Sequence, residues 1–401
     1  LASDFTVASL TGAACLVLTH ILSIEDCVDA VDVETICILV GMMLLVAVIK
    51  NSGIFEYIAI KAAKIAKGRP WPIMVIFIFI TAVCSGMLDN VTTVLLVGPM
   101  TLAITNILKV DPVPYIITQI MASNIGGTAT LIGDPPNIMI GSAAKLSFVD
   151  FILNTGVATV FVIIVGLICM YFIYGRKLFV TDESIVKVMQ LDENKAIKDR
   201  KLMHESVIVI ILVALCFIFH DQLGVQSCTV AIAAACIMLL IGGQEPEEII
   251  ADVEWPTILF FIGLFIVVGG MKKVGVITML ANGLISITHG NMVVTMMVIL
   301  WVSAIVSSFL DNIPFVATLI PMILTMQSEG MDVTPIWWAL SLGACLGGNG
   351  TLIGASANVV LSGISKNNGH PITFGQYFKI GFPMMILSII VCSVFLLIRF
   401  A

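Results

Sequence analysis

Two Asp-Asn pairs lie in the middle of apolar stretches of this 401-residue sequence, one at Asp89 and Asn90, the other at Asp311 and Asn312. An ionised side chain at the centre of a bilayer costs roughly 2.5 to 3.5 kcal/mol on insertion scales, so a carboxylate kept there needs a purpose. Two carboxylates at matched positions favour binding of a cation or a proton. The alternative is that each Asp only caps the helix that follows it.

Two glycine-rich segments form the second chemical motif. Residues 123–137 read SNIGGTATLIGDPPN, and residues 345–358 read CLGGNGTLIGASAN. Proline breaks a helix, and a broken helix at membrane depth is tolerated only where it is buried in protein or lines a wet cavity. There, free carbonyls can coordinate a cation and the positive end of a half-helix can face an anion. Close helix packing is the alternative explanation for isolated glycines such as Gly98 and Gly166.

The two segments are chemically unequal, because Asp134 in the first has Ala355 as its counterpart in the second. Two nearby carboxylates repel unless a proton or a cation lies between them. A coupling cation should therefore favour the site near Asp89 and Asp134. The alternative is that Asp134 caps the half-helix that begins at Pro135.

Membrane-spanning helices must position these motifs, since 59% of the residues are hydrophobic, only 11% are charged and the mean hydropathy is +1.11. Such a composition cannot coat a soluble globule. The apolar runs predict an all-α protein with nine crossings and two apolar hairpins. If the polar segment 176–203 is cytoplasmic, 15 of the 19 Lys and Arg residues lie inside, which predicts the orientation of a multi-pass protein of the plasma (inner) membrane.

The chain is an internal duplication. The Asp-Asn pairs recur with an offset of 222 residues and the Gly-Gly pairs with an offset of 221. Five crossings separate the two Asp-Asn pairs, and an odd number predicts repeats of inverted topology. We assign residues 1–175 to the first repeat, 176–203 to a cytoplasmic linker and 204–401 to the second repeat.

Each repeat should contain a re-entrant hairpin and a broken helix. The hairpins, residues 71–108 and 292–328, are predicted as two short limbs that enter and leave by the same face. Their tips should lie near the midplane, beside breaks in the helices 113–145 and 334–365. A spanning helix and an amphipathic, interfacial segment precede each hairpin.

These motifs resemble those of the ion transporter superfamily, specifically the ArsB/NhaD branch of arsenite permeases, sodium/proton antiporters and the melanosomal P protein, and GDPPN resembles the permease and P-protein side. The resemblance covers essentially the whole chain and implies an elevator-type fold and a homodimer. It implies two binding clusters. The cytoplasmic-side cluster would be Asp89, Asn90, Thr92, Thr93, Asn124, Gly126, Gly127, Thr128, Thr130, Asp134 and Asn137. The outer cluster would be Asp311, Asn312, Gly347, Gly348, Asn349, Thr351, Ser356 and Asn358, with Cys345 at the position of Asn124.

The leading functional hypothesis is a secondary transporter, and not an enzyme, for arsenite, antimonite or a comparable small anion or oxyacid. A proton or sodium gradient would drive it, with sodium, the one candidate cofactor, at Asp89, Asn90, Asn124 and Asp134. A GxxxxGKS loop is absent, so energy must come from such a gradient or from a separate ATPase subunit. The partners expected are the solute and the bilayer, with no nucleic acid.

Four alternatives remain open. A cation/proton antiporter would leave the same sequence pattern. An intramembrane aspartic protease would use its two carboxylates to activate water, and a passive channel would need no coupling. Cys84 and Cys345 near the motifs leave room for a thiol site that binds a soft metalloid, although the cysteines mostly lie within apolar runs.

Overall fold

Helices are the only regular secondary structure in the described part of the chain. The computed structural model describes residues 2–401, with the side chains of residues 6–219 and 222–401; residue 1, which the first predicted repeat includes, lies outside them. The helices of the first half are α1 (Ala2–Leu18), α2 (Ile24–Ala30), α3 (Val33–Lys50), α4 (Ile54–Ile65), α5 (Pro70–Met87), α6 (Asn90–Leu108), α7 (Val113–Thr128), α8 (Pro135–Ala144) and α9 (Phe148–Gly175).

The second half repeats this order after a linker that contains a short α-helix, α10 (Asp182–Met189), and a 3₁₀ turn (Glu193–Ala196). Its helices are α11 (Arg200–Leu223), α12 (Ser227–Ile241), α13 (Pro246–Ala251), α14 (Trp255–Lys273), α15 (Val276–Thr288), α16 (Met292–Phe309), α17 (Asn312–Ser328), α18 (Thr334–Gly347), α19 (Ser356–Asn367) and α20 (Phe374–Phe400). Helices α12 to α20 thus correspond, in order, to α1 to α9. Helices α10 and α11 have no counterpart in the first half.

Two ion pairs show that the repeats are inverted. Lys50, at the end of α3, lies 2.6 Å from the Asp252 carboxylate, just before α14 begins. Lys273, at the end of α14, lies 2.6 Å from the Asp26 carboxylate of α2, the short helix that precedes α3. Because each of these equivalent helices ends where the other starts, α3 and α14 run antiparallel. The Lys273 ammonium and the Ser23 N–H and hydroxyl lower the pKa of Asp26 to about 2.

This arrangement predicts that Lys50 and Lys273 lie on opposite faces of the membrane. In a background without native cysteines, Lys50→Cys should react with a membrane-impermeant thiol reagent only from the cytoplasmic side. Lys273→Cys should react only from the outside. Labelling of both positions from one side would contradict the inverted topology.

The hairpins are helix–turn–helix units with the Asp-Asn pairs at their turns, as predicted. Their limbs have 17 to 19 residues, as the predicted bounds imply, and each is about 26 to 29 Å long at 1.5 Å per residue. Eight helices of the described residues are long and apolar enough to span a membrane, and α5, α6 and α16 are among them. The depth of each hairpin tip in the membrane stays a prediction.

The repeats exchange partners reciprocally. Within each repeat the first limb packs on the broken helix, α5 on α7 and α16 on α18. Between repeats, α6 packs on α19 and α17 packs on α8, while α1 packs on α14 and α12 on α3. Such reciprocal contacts are those of a two-fold axis, and they bring both hairpin tips and both helix breaks into one region.

The amphipathic segments form α4 and α15, each preceded by a glycine in the left-handed region, Gly53 with φ 82° and Gly275 with φ 81°. The linker docks on the first of them. Lys64 pairs with Glu193 at 2.6 Å, and the Lys198 N–H donates to the Ser52 carbonyl at 3.0 Å. Because α11 begins at Arg200, the linker ends slightly earlier than predicted.

Candidate ion and substrate site

Asp89 forms the turn of hairpin 1 (α5 and α6). Its carboxylate accepts hydrogen bonds from the Thr92 N–H at 2.9 Å and from the Thr92 hydroxyl. Asp89 and Asn90 are 6% and 4% exposed. The backbone of Asp89 has φ 144° and ψ 162°, a region in which glycine is the usual residue and a side chain is strained. Asp89 therefore caps α6, as the capping alternative proposed. Its backbone conformation costs free energy that a glycine at this position would avoid.

The tip of hairpin 1 rests on the break between α7 and α8. The Ser123 hydroxyl donates to the Asn90 carbonyl at 3.1 Å, and the Thr130 hydroxyl donates to the Gly86 carbonyl. The Ser85 hydroxyl donates to the Ser123 carbonyl at 2.7 Å. The predicted juxtaposition of tip and break is thus present in this repeat.

Hairpin 2 (α16 and α17) is held in the equivalent way. Asp311 accepts hydrogen bonds from the Ile313 N–H at 3.1 Å and from the Ser356 hydroxyl at 2.8 Å. The Ser308 hydroxyl donates to the Gly347 carbonyl at 3.0 Å, and the Thr351 hydroxyl donates to the Ser308 carbonyl. Asp311 therefore joins its own tip to the start of α19.

Asp134 connects the two repeats. The Asn312 side-chain amide lies 3.2 and 3.4 Å from the two Asp134 carboxylate oxygens, and Asp134 is 1% exposed. Its side chain makes no capping hydrogen bond to α8, which contradicts the capping alternative. Asp134 thus contacts the tip of hairpin 2, whereas the sequence grouped it with Asp89.

Asn137 and Asn358 brace the two breaks. The Asn137 amide donates to the carbonyls of Gly127, Thr128 and Thr130 at 3.3, 3.2 and 2.9 Å. The Asn358 amide makes the matching bonds to Gly348 and Thr351 at 2.7 and 2.8 Å. Since these amide donors are already used, both residues stabilise the broken segments.

Asn124 links one break to the other and keeps one acceptor free. Its amide donates to Asn349 Oδ1 and Asn358 Oδ1, both at 2.9 Å. Asn124 Oδ1 and Thr93 Oγ1 are buried and have no hydrogen-bond partner among the described residues. Buried polar atoms are normally paired, so these two oxygens are the best candidates in this region for contacts to a bound ion or solute.

Sequence reasoning missed several serines and placed Cys345 only as a substitution. The Ser341 hydroxyl donates to Asn137 Oδ1 at 2.6 Å, and the Cys345 thiol lies 3.5 Å from the same oxygen. Ser85 and Ser307 hold the hairpin tips against the broken helices. They are counterparts of each other at the same offset of 222 residues that relates the two Asp-Asn pairs. That shared offset was the signal available for them.

The glycines at the breaks chiefly permit close packing. A Cβ on Gly126 would lie 2.1 Å from the Ala82 carbonyl oxygen, and one on Gly347 would lie 2.7 Å from the Ala304 carbonyl oxygen. Gly127 and Gly348 similarly approach the carbonyls of Gly133 and Gly354. They set how closely the hairpin limbs approach the broken helices.

Gly126→Ala should therefore destabilise the protein by at least the 1 to 3 kcal/mol typical of overpacking. Gly283→Ala is the matched control, because no atom lies within 4 Å of the Cβ it would add and alanine otherwise favours a helix by roughly 0.5 to 1 kcal/mol. Thermal unfolding in detergent measures both. Equal stability of the two variants would contradict the close approach of α5 and α7.

The site is acidic and lacks a basic partner. No Lys, Arg or His of the described residues forms an ion pair with Asp89, Asp134 or Asp311. A cleft of 860 Å³ opens beside hairpin 2, lined by Asp311, Ser356 and mostly apolar side chains. The described residues hold no group of three His, Cys, Asp or Glu suited to a metal ion, so the metalloid–thiol alternative gains no support.

Comparisons with known proteins agree with this architecture. The chain is 41% identical over 403 residues to "Uncharacterized transporter Rv2684" of Mycobacterium tuberculosis, covering 98% of this chain and 94% of that protein. It is 31% identical over 478 residues to the human P protein, covering 98% of this chain and 57% of the P protein. The crystal structure of the Alcanivorax borkumensis YdaH transporter has the same fold, with a TM-score of 0.54 at 16% identity over 90% of this chain and 83% of that one.

The relatives confirm the predicted superfamily, which includes the P protein, and the assignment as a transporter instead of an enzyme. The family model described as "Citrate transporter" (CitMHS) matches residues 3–343. The chain is therefore a multi-pass integral protein of the plasma membrane that belongs to the CitMHS transporter family.

Proposed function

We propose that the protein is a secondary active transporter of a small inorganic anion or oxyacid, of the arsenite or antimonite type, coupled to a proton or sodium gradient. One observation carries the proposal. Two buried carboxylates, Asp89 and Asp134, and the partly exposed Asp311 lie where two hairpin tips meet two helix breaks, and none of the three has a basic partner among the described residues.

Coupling follows from the charge of this site. Buried charges are costly unless they are paired, and three unpaired carboxylates would repel an anionic solute. Protons or sodium ions would neutralise them and also remove the repulsion. A small oxyacid would then meet hydroxyls, amides and the starts of α8 and α19, which favour negative charge.

Sodium, if it is the coupling ion, needs oxygen ligands, as hard cations do. The proposed sodium ligands remain Asp89, Asn90, Asn124 and Asp134. The unpaired side-chain oxygens of Asn124 and of nearby Thr93 support the part of this site that lies at hairpin 1. Because the Asp134 carboxylate contacts Asn312 at the tip of hairpin 2, it lies closer to hairpin 2 than the sequence predicted.

The proposed motion is of the elevator type. Hairpins and broken helices pack on one another, while α1, α3, α12 and α14 pair among themselves, which supports one mobile unit against a scaffold. We propose a homodimer built on that scaffold, with a separate ATPase subunit as the alternative source of energy.

A cation/proton antiporter is the second candidate, favoured by the same lack of basic side chains. Pyranine-loaded liposomes with purified protein separate the two. Oxyacid transport predicts uptake of arsenite or antimonite into the liposomes, with an internal pH change if protons are the coupling ion, whereas antiport predicts a pH change on addition of sodium alone. Citrate, named by the family, belongs in the same panel. Neither uptake nor a pH change with any of these solutes would contradict both candidates.

A further inference from the structure

The 860 Å³ cleft beside hairpin 2 lies between two groups of helices. On one side are α16, α17 and α19 of the unit that is proposed to move, and on the other side are α1, α14 and α15. Only four of the lining residues are polar, namely Ser9, Asp311, Thr318 and Ser356. The cleft is therefore an apolar opening along one side of the hairpin.

The polar side chains of the cleft already have partners. The Ser9 and Thr318 hydroxyls each donate to a backbone carbonyl of their own helix, at 3.0 and 2.8 Å. The Ser356 hydroxyl donates to the Asp311 carboxylate at 2.8 Å. Since these three hydroxyl protons are used, the described side chains of the walls offer no free hydroxyl donor to a polar solute, and the cleft favours an apolar occupant.

The internal duplication shows how the same place looks when it is closed. Leu88 and Leu310 each precede the Asp-Asn pair of their repeat, yet Leu88 is 4% exposed and Leu310 is 58% exposed. Ile132 and Ile353 are the matched isoleucines of the two TLIG segments, at 1% and 45% exposed. Leu310 and Ile353 both line the cleft. Identical residues at matched positions are thus covered in the first repeat and exposed in the second.

Protein covers this place in the first repeat. Helix α3 packs on α8, and residues of α3 belong to the same core as Leu88 and Ile132. The equivalent packing of α14 on α19 is at most marginal among the described residues. The cleft occupies that place, with Phe260 of α14 and Val359 of α19 on its walls. In the second repeat another apolar group is needed where the first has this packing.

The cleft is continuous with a membrane-facing side of α16. Val294, Val302, Ile305 and Phe309 follow one face of this helix, and each is 45% exposed. Val302 and Phe309 line the cleft, whereas Val294 and Ile305 lie outside it. Because α16 is long and apolar enough to span a membrane, this exposed face lies in the hydrocarbon of the bilayer. Lipid chains therefore have direct access to the cleft.

The length of the cleft matches that of an acyl chain. Along α17 the lining runs from Asp311 to Met322, which is about 16 Å at 1.5 Å per residue. The hydrocarbon core is about 30 Å thick, so the chains of one leaflet cover about 15 Å. Water in the same space would face mostly apolar walls, which is unfavourable. A single extended hydrocarbon chain meets both the length and the chemistry of the cleft.

We propose that an acyl chain of a membrane lipid binds in this cleft, along α17, and covers Leu310 and Ile353 as protein covers their counterparts in the first repeat. The chain holds hairpin 2 apart from α14, so that packing of α14 on α19 requires the chain to leave. The proposal is independent of the solute and of the coupling ion in the proposed function.

The test uses the full chain without native cysteines, in lipid nanodiscs, with the fluorophore bimane attached at Leu310→Cys. Lipids with dibrominated acyl chains should quench this bimane as strongly as a bimane at Ile305→Cys, and iodide in the water should quench neither. A bimane at Lys187→Cys is the control for the opposite result, because Lys187 is exposed on the linker helix α10. Iodide should quench it, and the brominated chains should not.

A second substitution tests whether the chain lies inside the cleft. Val359→Phe narrows the cleft from the wall of α19, so it should lower the bromine quenching at Leu310→Cys and leave that at Ile305→Cys unchanged. Bromine quenching at Leu310→Cys that Val359→Phe does not lower would place the lipid outside the cleft and overturn the proposal. Iodide quenching at Leu310→Cys would show a water-filled cleft, and quenching by neither agent would show a cleft covered by protein. Either result would overturn the proposal and leave the transport proposal intact.

Discussion

Asp89→Asn should reduce coupled transport to the level of protein-free liposomes while the protein still folds and inserts. The substitution removes the charge that is proposed to bind the coupling ion. Asparagine is as good a helix cap as aspartate and can still accept from the Thr92 N–H, so the turn of hairpin 1 should persist. Asp311→Asn should have the same effect at hairpin 2. Solute accumulation in liposomes and thermal unfolding measure the two consequences separately.

The chain offers a matched control for this prediction. Asp32 caps α3 with the same contacts, to the Thr35 N–H at 3.2 Å and the Thr35 hydroxyl at 2.7 Å, but far along the chain from the tips. Asp32→Asn should transport normally. Wild-type transport by Asp89→Asn would show that Asp89 is only a cap, whereas loss of transport in Asp32→Asn would show that the assay reports capping.

Asp134→Asn should lose the sodium or pH dependence of transport. Because Asp134 makes no capping hydrogen bond, the loss can be assigned to the charge. The amide of Asn312 can still bond to the new oxygen, so the hairpin tip should stay in place. Transport rates at several sodium concentrations and pH values, without other gradients, measure the effect.

A charge exchange sharpens this test. The double variant Asp134→Asn with Asn312→Asp returns a carboxylate to the same contact, within about a side-chain width of its original position, and should recover part of the ion dependence. Ala355→Ser, at the counterpart of Asp134, is the control and should leave that dependence unchanged. If Asp134→Asn keeps the full dependence on both ions, the unequal-site proposal fails.

The repeats, hairpins and breaks could be predicted because their signals are local. Pro135, the Gly-Gly pairs and the Asp-Asn turns each act on the adjacent backbone, and an offset of 220–222 residues relates the copies. Counting crossings between copies then gives the inversion. In the structure, the ion pairs of Lys50 and Lys273 show this inversion.

The contact between Asp134 and Asn312 could not be predicted, since 178 residues separate them and only tertiary packing brings them together. The Asp134 side chain does not cap α8, and this has a local cause that sequence reasoning misjudged. Pro135 and Pro136 supply no N–H groups, and the first available amide, that of Asn137, donates to the Asp134 carbonyl at 2.9 Å. The carboxylate is left free to face hairpin 2.

We propose that this acidic site, which has no basic partner among the described residues, couples solute movement to an ion gradient. Coupling is tested by arsenite or antimonite accumulation in liposomes of purified protein under a proton gradient alone, a sodium gradient alone, or neither. We expect accumulation above the external concentration under at least one gradient and simple equilibration with neither. Equilibration under all three conditions would contradict coupling and indicate a passive pathway.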